Sequence, residues 1–76
     1  MASERFIISG QLGNTLDLWI RAHARRIGVC VDIGAFDQAV LEMGVVGPSE
    51  MRDAMEMGCL LGPIDAWIEN IQREAL

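Results

Sequence analysis

His23 is the only imidazole in the chain, and Cys30 and Cys59 are the only thiols. An imidazole that titrates near neutrality is the natural general base, and a thiolate the natural nucleophile. Their spacing does not assemble such a pair. No serine or cysteine nucleophile stands near His23 in sequence, and His23 falls at the edge of an apolar helical stripe. A half-buried structural histidine is the expectation. Cys30 and Cys59 form no Cys-x-x-Cys pair and are expected to be buried thiols that pack as small hydrophobes. One His and two Cys without ligand spacing cannot close a tetrahedral site, so no metal and no cofactor are expected. Asp17 precedes Arg21 by four residues, the spacing of an ion pair on one helix face. In a first turn, Asp17 would also offset the helix dipole by about 0.3–1 kcal/mol. Arg21, Arg25 and Arg26 make a small basic patch, either a solvated helix end or a contact for an acidic partner.

Glycine and proline divide the chain into the elements that must hold these groups. Arg5 to Ser9 is β-rich and reads as a strand stopped by Gly10. Gln11 to Asn14 reads as a turn. Thr15 to Ile27 is helical, because Leu16, Ile20, Ala24 and Ile27 recur on one face, with Trp19 beside them. Asn14 or Thr15 can cap it, Arg25 and Arg26 suit its last turn, and Gly28 follows as a stop. Val29 to Ile33 is a second strand, Gly34 to Gln38 a turn, and Ala39 to Val46 a third strand, together a hairpin. Gly47-Pro48-Ser49-Glu50 opens a second helix with Ser49 as its cap. Met51, Ala54, Met55 and Gly58 form its inner face, and Gly58 to Pro63 breaks it. Met43, Met51, Met55 and Met57 are expected to fill core gaps, with exposure of Met57 open as the alternative. Ile64 to Ile71 reads as a last strand, with helix open as the alternative. As a strand, it would point Trp67 opposite to Ala66 and Ile68, and so leave apolar surface for a partner to cover.

The order β-α-β-β-α-β predicts an α+β, ferredoxin-like sandwich: an antiparallel sheet with two helices on one face. With 76 residues the chain is one domain, 1–76. A domain this short buries only about 60% of its unfolded surface, so its stability depends on a good core. The formal charge is −5, and all six basic residues are arginines. That balance excludes a general nucleic-acid or anionic-membrane binder, whose affinity rests on neutralising phosphates. No apolar run approaches the roughly 20 residues of a membrane span. The opening Met-Ala-Ser-Glu-Arg has an acid where a signal peptide is basic and then apolar. A soluble cytoplasmic protein is expected.

Several segments resemble the acylphosphatase family in order and spacing. Arg5-Phe-Ile-Ile-Ser-Gly10 is similar to its first strand and leading glycine, and Ala24-Arg-Arg-Ile-Gly-Val29 to its helix end, A-x-x-L-G-(L/V). Gly47-Pro48 with Glu50 resembles its G-P-x-E opening of the second helix. Cys59-Leu-Leu-Gly-Pro-Ile-Asp-Ala66 resembles C-x-x-G-P-x-x-A, followed by Ile68 and Ile71 at V-x-x-V. The resemblance covers residues 5 to 71 and implies an acylphosphatase-like fold. It also implies what an enzyme of this kind needs. A loop of backbone N–H groups at a helix N-terminus cradles phosphate. An arginine in G-x-V-Q-G-V-x-F-R binds it with a bidentate fork, and an asparagine orients the attacking water.

Here the cradle reads Gly10-Gln-Leu-Gly-Asn-Thr-Leu-Asp-Leu18, one residue short. The arginine position falls on Asp17 or on Leu18, and the asparagine position on Ala35. An aspartate would repel phosphate by about 4 kcal/mol at about 4 Å and an effective dielectric of about 20. The family's short C-terminal strand is expected to be absent or truncated. A degenerate, inactive acylphosphatase-like domain follows, acting as a binding module or homodimer, with Gly13, Asn14 and Thr15 as a vestigial phosphate loop. Its interaction surface would be Arg25, Arg26 or Trp67, against an unknown protein or a second copy. Two alternatives remain open. One is a divergent, weak acylphosphatase that recruits Arg21 to bind phosphate or an acyl phosphate. The other is a regulatory protein that binds an acidic partner through Arg21, Arg25 and Arg26.

Overall fold

The computed structural model describes residues 2–62 and 65–76. Six elements follow in order: β1 (Ser3–Gln11), α1 (Leu16–Ile27), β2 (Cys30–Phe36), β3 (Val40–Val46), α2 (Ser49–Leu61) and β4 (Trp67–Ala75). The strands form one sheet in the order β2-β3-β1-β4, with each neighbouring pair antiparallel. This is the predicted βαββαβ sandwich. Alternation along the strands sets its inner face. Phe6 and Ile8 of β1 and Leu41, Met43 and Val45 of β3 are buried, and they pack with Leu16, Ile20 and Ala24 of α1 and Met55 and Cys59 of α2. No helix among the described residues is long and apolar enough to cross a membrane.

The boundaries differ from the sequence expectation where glycine has a second role. Gly10 does not stop β1. It takes φ +150° at a register shift against β4, where Ser9 faces Asn70 and Gly10 faces Ile68, so Glu69 bulges out. The strand therefore continues to Gln11, and the predicted turn beyond it buries Leu12 in the core. Gly34 lies within β2 at a second register shift, between Ile33 and Ala35, so the hairpin turn is shorter than Gly34 to Gln38. Asp37 makes that turn by accepting the N–H groups of Ala39 at 2.7 Å and Val40 at 2.9 Å. The last segment is a strand, and it runs past Ile71 to Ala75. Pro63 and Ile64, on which part of the predicted break and the predicted start of that strand fall, lie outside the described residues.

Helix ends also differ. Gly28 closes α1 as expected, its N–H reaching Ala24 O at 2.9 Å. Thr15 stands at the cap of α1 without capping it, and Pro48, not Ser49, precedes α2, leaving both helices without a side-chain cap. Met51, expected on the inner face of α2, sits in its opening turn and is 38% exposed. Met57, read first as a core filler, is 63% exposed.

Gly58 does not break α2 either, because it is where the two helices meet. A Cβ there would lie 2.2 Å from Nε2 of His23 and 2.7 Å from its Cδ2. The imidazole stacks on Trp19, with centroids 5.0 Å apart, and its Nε2 is buried without a hydrogen-bond partner among the described residues. His23 is thus an interhelical spacer seated in the notch that Gly58 leaves. Gly58→Ala is expected to destabilise by about 1–2 kcal/mol, because overpacking against the ring outweighs a helix-propensity gain of about 1 kcal/mol. In a His23→Ala background the same change should become stabilising. Urea unfolding of the two single variants and the double variant reads that reversal directly.

Candidate functional site

The loop from Leu12 to Thr15 joins β1 to α1 at the end of the sheet that also carries the β2–β3 hairpin. It is held from both sides. Leu12 N–H donates to Gln38 O at 2.8 Å, and Gln38 Nε2 donates to Asn14 Oδ1 at 3.0 Å, fixing the loop to the hairpin. On the other flank, the Thr15 hydroxyl donates to Asp65 Oδ2 at 3.3 Å. That bond explains the missing cap, since the hydroxyl is turned away from its own helix. Gly13 faces the same segment: a Cβ on it would lie 3.4 Å from Asp65 O and 3.7 Å from Asp65 Oδ2. Gly13, Asn14 and Thr15 therefore do form one ordered loop at a helix N-terminus.

Its electrostatics are mixed. The helix terminus supplies partial positive charge. Carboxylates stand against it: Asp65 accepts from Thr15, and Asp17 lies in the first turn, while Asp37 is engaged within the hairpin turn. The N–H groups of Ala39 and Val40 hold the Asp37 carboxyl below its ordinary range. Leu18, the other position matched to the family's arginine, is 64% exposed. Arg21 is exposed, and the expected Asp17–Arg21 pair does not form: among the described residues every ion pair uses Arg52 or Arg73. Both side chains have solvent as the better partner at the surface. Arg25 and Arg26 are exposed in the last turn of α1, toward its other end from the loop.

The remaining site candidates lie elsewhere. Ala35, matched to the family's asparagine, is exposed beside the β2 bulge and pairs with Glu42. It lines a depression on the sheet face away from the helices. Trp67 pairs with Gln11 and is 68% exposed, while Ala66 and Ile68 pack against the core, which is the alternation a strand requires. Cys30, expected to be buried, opens β2 with its thiol exposed; Cys59 is buried as expected. Burial pushes the Cys59 thiol up to about 12, with the Glu56 carboxylate adding to the effect. Such a thiol stays protonated and is no nucleophile. No group of three or more His, Cys, Asp or Glu among the described residues could hold a metal ion.

Asp65 and Gln38, which hold the loop, were not legible in the sequence. Each meets its partner across many residues of chain, and no local motif announces such a contact.

No family model matches the chain, and no curated protein matches it in sequence. Solved structures do match its fold. An acylphosphatase from Bacillus subtilis superposes with a TM-score of 0.89 at 16% identity, covering 100% of this chain and 86% of that one. An acylphosphatase from Coxiella burnetii gives 0.88, again at 16% identity, over 99% of this chain and 80% of that one. At such identity the likeness carries the fold, and the fold does not carry the chemistry.

Proposed function

We propose that this domain is an acylphosphatase-like fold without acylphosphatase activity, serving as a binding module in the cytoplasm. One observation carries the reading. The loop and the first turn after it carry carboxylates and no cation, with Asp65 accepting from Thr15 at 3.3 Å and Asp17 in the first turn. An acyl phosphate is an anion, and its transition state spreads negative charge over the phosphoryl oxygens and the departing carboxylate. It needs the fixed cation that related enzymes supply, and carboxylates oppose it. The surface offered to a partner is instead apolar. Trp67, Leu60 and Leu61 are exposed around the segment that joins α2 to β4, and Leu18 is exposed in the first turn of α1. A second copy or another protein that covers Trp67 would bury the largest of these groups.

The purified protein is expected to leave benzoyl phosphate hydrolysing at the buffer rate. Titration with inorganic phosphate is expected to leave the amide resonances of Gly13, Asn14 and Thr15 unmoved. Hydrolysis above background that disappears in Arg21→Ala would establish the opposite reading, a weak enzyme with a recruited arginine.

A further inference from the structure

The geometry points to a binding site for a small aliphatic zwitterion, an ammonium carboxylate of amino-acid size, on the sheet face away from the helices. A depression of about 400 Å³ opens there, between β1, β2 and β3. That volume falls in the range of small-ligand sites.

The strand register builds it. Arg5 of β1 and Asp32 of β2 both face Gly44 of β3, one from each side. Neighbouring strands are about 4.8 Å apart, so the two Cα atoms lie about 10 Å from each other with no side chain between them. Glu42 stands two residues along β3 and hence on the same face as Gly44. A cation thus sits on one side of a gap, with carboxylates on the other side and along it. Arg5 makes no ion pair among the described residues, although Glu74 of β4 stands opposite it in register on the flank away from the gap. A ligand with a carboxylate at one end and an ammonium at the other spans that gap. Arg5 would take the carboxylate by its planar fork, and Asp32 and Glu42 would take the ammonium. Leu76 supplies an apolar wall for an aliphatic stem.

Gly44 gives independent support. Its φ is not positive, and a Cβ built on it meets nothing within 4 Å. Neither backbone conformation nor crowding requires glycine there, and glycine inside a strand weakens it. An empty strand position leaves room for a ligand to approach the backbone closely. Occupancy of this face does not depend on the state of the loop at the end of the sheet.

The test is titration of the full-length ¹⁵N-labelled chain with leucine as the probe. Saturable shifts are expected at Asp32, Gly34, Glu42 and Gly44, with a dissociation constant of about 1 mM. The half-ligands 3-methylbutylamine and 4-methylpentanoate are each expected to bind at least about ten-fold more weakly. Gly44→Val fills the gap with a strand-favouring side chain and should abolish binding while keeping the melting temperature. Arg5→Gln, at an exposed position, should weaken binding at least about ten-fold without touching the fold. Absence of saturable shifts up to about 10 mM would overturn the proposal. So would binding that survives Arg5→Gln, or an amine that binds as well as leucine.

Discussion

Gly10→Ala is expected to cost about 3 kcal/mol or more, the largest loss predicted for any single methyl group in this protein. The added Cβ would lie 2.1 Å from Trp67 O, 2.8 Å from Glu69 N and 3.2 Å from Ile68 Cα. All three are backbone atoms of β4, so no side-chain rotation relieves the clash. The φ of +150° is itself unfavourable for alanine. The only relief is to part β1 from β4 at this end, which breaks the pairing beyond the bulge. A domain of 76 residues has a total stability of about 4–11 kcal/mol, so the loss is a large share of it. Gly28 provides the control. Its φ is also positive, at +82°, but a Cβ there meets nothing within 4 Å. Gly28→Ala should therefore cost only about 1 kcal/mol, the strain of a left-handed alanine at a helix end. Urea midpoints separate the two variants. Amide exchange in Gly10→Ala should be accelerated first at Trp67 to Asn70. If Gly10→Ala unfolds at the same midpoint as Gly28→Ala, the close approach of β4 is not what holds this end together.

The same contact ties the fold to its surface. Gly10 precedes the loop that resembles a phosphate cradle, and the strand it touches begins with the exposed Trp67. Parting β4 from β1 would disturb Trp67 and the Asp65–Thr15 bond together. A partner that covers Trp67 should accordingly lose affinity in Gly10→Ala even where the protein stays folded.

Much of this arrangement was visible in the residues. The stripe of Leu16, Ile20 and Ala24 is buried as its spacing required, because helix periodicity is a local property. The alternation around Trp67 and Ile68 likewise placed each on its side once the segment formed a strand. What escaped were features set by contact at a distance. Gly58 reads as a breaker, yet it persists within α2 because its missing side chain admits the His23 ring. Cys30 reads as a core thiol, but the alternation of β2 that turns Val31 and Ile33 toward the core turns Cys30 to the opposite, solvent-exposed face. The end of β4 was lost for a related reason. Arg73 and Glu4 are polar residues on the helix-facing side of the sheet, and a polar residue at an inward position breaks the hydrophobic pattern that marks a strand. The site followed the same division. Gly13, Asn14 and Thr15 were legible as a loop at a helix start, whereas Asp65 became part of it only through the fold.

That inward polar pair leads to the second large effect. Glu4→Gln is expected to destabilise by about 2–3 kcal/mol near pH 7. The Glu4 carboxylate lies between two arginines: Arg73 Nε donates to its Oε2 at 3.0 Å, and Arg52 Nη1 to its Oε1. Side-chain exposure is only 13% for Glu4, 14% for Arg52 and 22% for Arg73. Removing the negative charge leaves two half-buried guanidinium groups facing a neutral amide. Breaking a fully buried pair costs about 3–5 kcal/mol, and three features reduce that figure here. The groups retain some solvent, Arg73 keeps Asp53 and Glu56 at 2.8 Å each, and its guanidinium rests over the Phe6 ring at 5.0 Å. The pH dependence has a definite sign. The hydrogen bond from Arg73, with the charges of Arg73 and Arg52, holds the Glu4 carboxyl below its ordinary value of 4.5. A group with a lowered folded pKa contributes its stability in full above the unfolded value and loses it as pH falls through the folded one. The gap between the natural protein and Glu4→Gln should thus be constant from about pH 8 to about pH 5 and narrow below about pH 4. Some acid sensitivity should survive in the variant, because Asp53 and Glu56 still pair with Arg73. Urea unfolding at a series of pH values measures the gap. A gap that stays constant down to about pH 2 would show that the arginines bind the Glu4 side chain by shape and hydrogen bonding rather than by its charge.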